Sequence, residues 1–142
     1  MASGSCVELE SLPSGARGIV KDARRAVLAT VSPDGAPHAV PVCFALWRDG
    51  IASAIDHKPK SGRPLARLAN VEADGRAAFL FDRWSEDWRH LGWVMARGRA
   101  RIEPPGSAAR ELAERYPQYR ERAPQGPVIV VRPERVLWWT WD

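Results

Sequence analysis

The segment AVLATVSPDGAPHAVPVCFAL (residues 26–46) is the most informative part of the chain for predicting the fold. Apolar and small residues alternate over 27–32, which predicts a β-strand. Pro33-Asp34-Gly35 is a turn signal, because glycine adopts positive φ without strain. A second strand follows over about 37–47. Pro41 inside this strand indicates an edge position, a bulge or a site that faces a ligand, because proline cannot donate to a strand ladder.

A basic segment follows these strands. Residues 57–71 contain Lys58, Lys60, Arg63 and Arg67 and no acidic residue. Four cations without a local counter-charge repel one another, and an anion would relieve that repulsion. The helix predicted after them offers free N–H groups that also favour phosphate. A solvated basic loop is the alternative interpretation.

The rest of the chain is rich in short strands. Many strands with tight turns and few helices favour a closed β-barrel over a sandwich. Gly92 and Gly98 are expected bends or bulges within one long strand. We expect a mobile N-terminus over 1–13 and a single domain over 14–142. Further strands are predicted over 51–55, 76–82, 91–102, 128–131 and 136–141, and helices over 14–25, 64–73 and 107–116.

Composition excludes several classes of protein. The 142 residues carry a formal net charge of +4 and no nucleic-acid motif, so we expect no nucleic-acid partner. Cys6 and Cys43 form neither a disulfide framework nor a zinc motif, and no metal site is expected. No signal peptide and no membrane-length apolar run occur, which predicts a cytoplasmic protein without membrane insertion.

No catalytic side chain stands out. A nucleophile elbow, a phosphate loop and a GxGxxG motif are all missing, so any redox chemistry would come from a bound cofactor. Seven tryptophans are many for this length. Trp138 alternates with Trp139 and Trp141 along one predicted strand, so one set should face the core. The other set indicates a subunit interface or a ligand wall.

Several segments together resemble a known family. The Leu-Ala-Thr-Val-x-Pro-Asp-Gly-x-Pro-His-x-Val-Pro-Val-x-Phe pattern at 28–44 is followed by Lys58-Pro59-Lys60, Glu86-Asp87-Trp88 and Trp93-Val94. These segments resemble the pyridoxamine-phosphate-oxidase-like split β-barrel proteins, and more narrowly the subgroup dependent on coenzyme F420, a deazaflavin. The arginine-rich pattern of true pyridoxamine phosphate oxidases is not evident, which disfavours that reaction.

The resemblance implies a mainly β fold with short helices, a split β-barrel like that of FMN-binding proteins, which forms a homodimer with cofactor sites at the subunit interface. It places the cofactor phosphate on basic residues after the third strand and the ring along the second and third strands. Trp88 or Trp93 of the partner subunit would close the site. The implied cofactor-binding residues are Pro41, Val42, Cys43, Ser53, Ala54, Lys58, Lys60, Arg63 and Trp88.

The function expected from the resemblance is F420-dependent hydride transfer to a small unsaturated or quinone-like acceptor. Two alternatives remain open at this point. One is an FMN-dependent oxidase or reductase of the same fold, since both cofactors present a tricyclic ring and an anionic tail. The other is a non-enzymatic carrier of F420 or flavin. A shared fold does not choose among these functions.

Overall fold

A computed structural model of the chain describes residues 1–55 and 65–141. Eight strands and four α-helices form in this part of the chain, together with two 3₁₀ turns at Leu9–Ser11 and Trp88–His90. The strands are β1 Ala2–Cys6, β2 Ala26–Val31, β3 Pro37–Val42, β4 Ala45–Trp47, β5 Gly50–Ala54, β6 Arg76–Arg83, β7 Gly92–Glu103 and β8 Val128–Thr140. The helices are α1 Ser14–Asp22, α2 Ala66–Ala73, α3 Gly106–Arg115 and α4 Pro117–Glu121.

One antiparallel sheet contains all eight strands, in the order β3-β2-β6-β7-β8-β5-β4, with β1 also paired to β8. Its two end strands, β3 and β4, are joined by only Cys43 and Phe44. Three Cα steps span at most about 11 Å, so the two ends of the sheet must meet. The sheet therefore curls into the split β-barrel predicted from the sequence. Among the described residues, β3 and β4 are not hydrogen-bonded to each other. The short connection through Cys43 and Phe44 brings the two ends of the barrel together.

The barrel interior is filled by large apolar side chains. Phe44 and Phe81 meet edge to face with their ring centroids 4.8 Å apart, and both side chains are fully buried. Helix α1 adds Ile19 and Val20 to this core. A second cluster forms outside the barrel, where Leu112 of α3 packs on the opposite face of β4 and β5. The two faces of β5 are thus both buried, which explains why its five residues lack polar alternation.

Two strand predictions are corrected. The strand expected over 37–47 is interrupted at Cys43 and Phe44, because the chain leaves one end of the sheet there and joins the other. The two strands expected at 128–131 and 136–141 are one continuous strand. Pro133 is accommodated within it because a register shift beside Gly98 forms a bulge, where a missing N–H is tolerated. The bulge predicted at Gly98 is confirmed.

The first residues of the chain include a strand that was not predicted, and the mobility expected over 1–13 stays a prediction. Residues Ala2–Cys6 form β1, which pairs antiparallel with Val136–Thr140. Backbone pairing explains this, since polar and small side chains such as Ser3 and Gly4 give little sign of a strand. Leu12 is buried in the core.

Each predicted helix differs from its expected bounds at one end or both. Helix α1 begins at Ser14 as predicted but ends at Asp22, and its N-cap is Pro13, with no side-chain cap. Ser107 lies inside α3, and its hydroxyl accepts a hydrogen bond of 2.8 Å from Trp47 Nε1. Helix α4 was not predicted. It begins at Pro117, separated from the end of α3 at Arg115 only by Tyr116, and proline is favoured at a first helical position.

Candidate functional site

A cleft opens where the two ends of the barrel meet. Four residues predicted as cofactor contacts line it together: Pro41 and Val42 at the end of β3, Cys43 in the link, and Ala54 at the end of β5. Residues far apart in the sequence thus converge because the sheet closes on itself. The cleft has a volume of about 240 Å³, and we call it the junction cleft. Its remaining lining residues are Arg25, Arg67 and Tyr119.

The backbone beside the junction cleft belongs to an edge strand. Pro41 lies opposite Val27 in the β2–β3 ladder, and β3 has no second neighbour among the described residues. The edge position predicted from Pro41 is confirmed. Pro41 is exposed, whereas the Val42 side chain is buried in the barrel core. Val42 would therefore meet a ligand mainly through its backbone.

Among residues 1–55 and 65–141, two guanidinium groups and no carboxylate line the junction cleft. Arg67 on α2 is half-buried, and its Nε atom is buried without a hydrogen-bond partner among the described residues. A buried donor without an acceptor is costly, so this atom marks a place where an anion or another acceptor would be stabilised. Arg25, just before β2, is exposed at the opposite wall.

Ser53 is not among the residues that line the junction cleft. Side chains alternate along β5, so Ala54 belongs to the outer cluster while Ser53 lies on the barrel side with Ile51. Ser53 is 1% exposed, and its hydroxyl oxygen has no hydrogen-bond partner in residues 1–55 and 65–141.

The other predicted contacts lie elsewhere. Lys58, Lys60 and Arg63 fall outside the described residues. Trp88 is 59% exposed on its 3₁₀ turn and does not line the junction cleft of its own chain. The turn is held by Asp87, whose carboxylate accepts from the backbone and side chain of Arg89. These bonds lower the pKa of Asp87.

A tyrosine missed by the sequence analysis positions both walls of the junction cleft. The buried Tyr116 hydroxyl accepts a hydrogen bond of 3.1 Å from Phe44 N–H and donates one of 3.1 Å to the Arg24 carbonyl. Phe44 follows Cys43, and Arg24 precedes Arg25, so one hydroxyl ties together two chain segments that form the cleft. Sequence patterns do not indicate this role, because Tyr116 is only the last residue of the helix predicted over 107–116.

Two arginines add further contacts between the end of α3 and the chain segment just before β2. The Arg115 guanidinium lies over the Phe44 ring at 4.5 Å and donates to the Ala23 carbonyl at 2.6 Å. Arg24 lies over the Tyr116 ring at 4.9 Å and donates to the Arg115 carbonyl. These cation–π contacts and hydrogen bonds connect α3 to the start of β2. Sequence patterns show such residues only as surface charges.

The outer face of the barrel carries an apolar surface. Trp93 on β7 lies opposite Trp139 on β8, and Met95 lies opposite Leu137. Leu80 on β6 lies opposite Met95, so it extends the Met95–Leu137 row by one strand, and it is 37% exposed. We call these five residues the outer apolar band. Trp138 instead packs against the barrel core beside Val136, so the expected division of the tryptophans between two faces is confirmed.

Two general features of the described residues bear on the site. Every helix in this part of the chain is too short or too polar to cross a lipid bilayer. Within residues 1–55 and 65–141, no three His, Cys, Asp or Glu side chains gather as a metal site would require.

Comparisons with known proteins agree with this architecture. Residues 12–140 match the family model described as Pyridoxamine 5'-phosphate oxidase. No functionally curated protein matches the sequence. A conserved hypothetical protein of Mycobacterium tuberculosis has a similar structure, with 23% identity, a TM-score of 0.70, and coverage of 88% of this chain and 82% of the other.

Two heme proteins are also similar in structure. A heme binding protein of Mycobacterium smegmatis shares 22% identity with a TM-score of 0.71. The match covers 90% of this chain but only 55% of that protein. The heme storage protein HutZ of Vibrio cholerae shares 15% identity with a TM-score of 0.66, over 83% of this chain and 87% of the other. At these identities the likeness establishes the fold alone.

Proposed function

The chain belongs to the pyridoxamine 5'-phosphate oxidase family, and on that premise we propose that it is an F420-dependent oxidoreductase. Reduced F420 would bind in the junction cleft and pass a hydride to a small unsaturated or quinone-like acceptor. The deazaflavin supplies the redox chemistry, and the protein supplies orientation and a dry environment.

The composition of the junction cleft is the observation that carries this proposal. An apolar wall from Pro41 to Cys43 suits a flat ring, and Arg67 with Arg25 suits an anionic tail. The orphaned Arg67 Nε is the donor best placed to meet a phosphate oxygen. F420 carries a phosphodiester and glutamates, so its tail is more negative than the tail of FMN. The two charged groups among the described lining residues, Arg25 and Arg67, are both cationic, which favours the more negative tail.

The basic segment belongs to the same proposal. Ala54 and Arg67 both line the junction cleft, and the chain between them carries Lys58, Lys60 and Arg63. Those three residues are proposed as tail contacts on the family resemblance. Replacing Lys58 or Lys60 with Ala would then remove one charge-assisted bond, which weakens binding by roughly 10- to 150-fold. Lys21→Ala, an exposed lysine on α1, is the matched control.

Each described residue has a simple proposed role. Pro41 has no N–H, so the edge of β3 offers the ring an apolar surface at that point. Cys43 and Ala54 form the walls that hold the ring in place. No protein group is proposed as acid or base, and solvent would supply the proton that the product needs.

We also propose a homodimer, with Trp88 of the partner subunit closing the cofactor site. The outer apolar band would form its centre, because a contiguous, partly exposed apolar surface on a sheet favours association. We expect more than roughly 2,000 Å² to be buried, as in obligate dimers.

The decisive experiment is a titration of the purified protein with F420, FMN and heme under the same conditions. We expect F420 to bind most tightly and its affinity to fall as salt rises. Arg67→Gln should weaken F420 binding by roughly 10- to 150-fold, since a charge-assisted hydrogen bond is removed. Arg110→Gln removes an equal charge from an exposed site on α3 and should have no effect.

Other outcomes have equally definite meanings. FMN binding as tightly as F420 would establish the flavin alternative in place of the deazaflavin. Heme binding in preference to both would align the chain with its two heme-related structural neighbours. Tight F420 binding without turnover of any enone, quinone or other unsaturated acceptor would identify a carrier rather than an enzyme.

A further inference from the structure

A second and larger cleft lies on the outer face of the barrel, beside the bulge in β7 and β8. Its volume is about 490 Å³, and it shares no lining residue with the junction cleft. We call it the arginine cleft, because Arg76, Arg97, Arg99 and Arg135 all line it.

The four arginines form two like-charged pairs across strands. Arg97 lies directly opposite Arg135, and Arg76 lies directly opposite Arg99 in the neighbouring row. Positions two apart on a strand share a face, so all four belong to the outer side of the sheet. Like charges directly opposite one another destabilise a sheet. Two such pairs side by side therefore need a compensating interaction.

Carboxylates compensate for only part of this charge. Arg76 is paired with Asp74 at 2.7 Å, and Arg99 is 3.9 Å from Glu134. Arg97 makes no hydrogen bond or ion pair with any described residue, and Arg135 makes only a 3.4 Å contact with the Ser5 hydroxyl. The Arg97–Arg135 pair is thus without an anionic partner in residues 1–55 and 65–141.

The floor of the arginine cleft is small and apolar. Ala29 and Ala78 continue the row of Arg97 across β2 and β6, and Pro37 and Val31 lie at its edge. The bulge inserts an extra residue into β8, and bulges commonly redirect side chains beside binding sites. An apolar floor with a few convergent charged groups is the usual composition of a small-molecule site.

We propose that the arginine cleft binds a small organic oxyanion, a molecule with a flat apolar body and a carboxylate or phosphate group. The apolar body would lie on Ala29 and Ala78. The oxyanion would lie between Arg97 and Arg135, where two guanidinium groups offer paired donors to one planar or tetrahedral anion. This inference is independent of the proposed cofactor site.

Naphthalene-2-carboxylate tests the proposal, with naphthalene-2-carboxamide as a neutral ligand of the same shape. Calorimetry without any cofactor should show binding of the carboxylate and at least about tenfold weaker binding of the amide, since the charge-assisted bond is lost. In NMR spectra the Ala29 and Ala78 methyl signals should shift, while the Ala54 signal in the junction cleft should not. Naphthyl phosphate distinguishes a phosphate ligand from a carboxylate ligand.

Charge-removing variants complete the test. Arg97→Gln and Arg135→Gln should each lose at least about tenfold in affinity for the carboxylate, whereas Arg110→Gln should bind it like the parent. The two variants should melt no lower than the parent, because each relieves a like-charge pair. The proposal is overturned if the parent fails to bind at millimolar carboxylate, if acid and amide bind equally, or if Arg97→Gln binds like Arg110→Gln.

Discussion

A single hydroxyl group determines much of the junction cleft. Tyr116 is 5% exposed and satisfies one backbone donor, Phe44 N–H, and one backbone acceptor, the Arg24 carbonyl. These two groups belong to residues next to Cys43 and Arg25, which line the cleft, and they are 20 residues apart in the chain. Without the hydroxyl, both backbone groups would be left unpaired in a buried place, which is costly. Tyr116 is therefore a positioning residue for the proposed cofactor site.

Tyr116→Phe should lower the free energy of unfolding by about 1–3 kcal/mol, the cost of unpaired buried polar groups. It should also weaken F420 binding several-fold, because the link at Cys43 is no longer held. Chemical denaturation and calorimetry measure the two effects.

The control for Tyr116 is Ser107→Ala, which removes the 2.8 Å hydrogen bond to Trp47 without touching the cleft. This variant should lose stability but keep its affinity for F420. Equal affinities of both variants would show that Tyr116 has only a structural role.

At the residue scale, the sequence indicated some of the residues that line the junction cleft and not others. Pro41, Val42, Cys43 and Ala54, four of the residues implied as cofactor contacts, line one cleft, and their contact with a cofactor stays a prediction. Arg25 and Tyr119 were missed, because their place in the cleft depends on how the barrel ends and α4 come together. Contacts of this kind are set by tertiary packing and leave no periodic trace in the sequence.

At the scale of elements, the bulge in β7 and β8 depends on one glycine. A Cβ atom at Gly98 would lie 1.8 Å from the Arg132 carbonyl oxygen, far inside van der Waals contact with a rigid backbone. The close approach lets β8 pass Pro133 and keep pairing with β7 on both sides. Sequence reasoning located this bulge because glycine in a long strand has few other uses.

Gly98→Ala should therefore destabilise the protein by about 3 kcal/mol or more, as forced backbone shifts in packed regions do. Gly18→Ala is the matched control, since a Cβ there meets nothing within 4 Å and Gly18 lies inside α1. It should stabilise the protein by about 0.5–1 kcal/mol. Urea unfolding of both variants decides the matter, and a Gly98→Ala protein as stable as the parent would contradict the close packing described above.

The turn from α2 into β6 should respond to pH. Hydrogen bonds from the Arg76 side chain and then from its backbone N–H lower the pKa of Asp74 from 3.8 to about 2. A carboxyl group whose pKa is lower in the folded state stabilises the fold above its unfolded pKa, and loses that effect as the pH falls through the folded value. Asp74→Asn should thus be less stable than the parent at neutral pH. The difference should shrink as the pH falls from 3.8 toward about 2.

Unfolding curves at several pH values measure this difference. Glu72→Gln on the exposed side of α2 serves as the control for a general change in charge. A pH-independent gap between parent and Asp74→Asn would show that the carboxylate charge is not what holds the turn.

The sequence predicted the ends of strands and helices best where neighbouring residues in the chain determine them. The turn at Pro33-Asp34-Gly35 forms as predicted, with Gly35 at a φ of +87°. The interruption at Cys43 and the continuity of β8 were not predicted, because both depend on which strand lies next to which. Strand β1 was not predicted for the same reason: it forms through backbone pairing with β8, and its own side chains show no strand pattern.

At the scale of the whole molecule, the outer apolar band is the feature that bears on assembly. It was anticipated from the excess of tryptophan, although the sequence could not show which rows of the sheet it would occupy. The band crosses β6, β7 and β8 and lies on the side of the sheet opposite the barrel core.

We expect the protein to sediment as a dimer at micromolar concentration, and Leu80→Asp to shift it toward monomer by burying a charge in the interface. Leu46→Asp is the control, because Leu46 is 47% exposed on β4, away from the band. A parent protein that sediments as a monomer would contradict the proposed dimer. A Leu80→Asp protein that remains dimeric would place the interface elsewhere.

The position of β8 in the sheet has a consequence for how the chain is made. Residues 128–140 pair with β1, β5 and β7, so the strands formed by the first 54 residues cannot complete their sheet until this segment has left the ribosome. Long-range pairing of this kind is slow and leaves strand edges open while the chain waits. Early during translation, β2 and β3 can form only a local hairpin, and closure of the barrel has to follow synthesis of β8. The nascent chain therefore exposes unpaired strand edges during most of its synthesis.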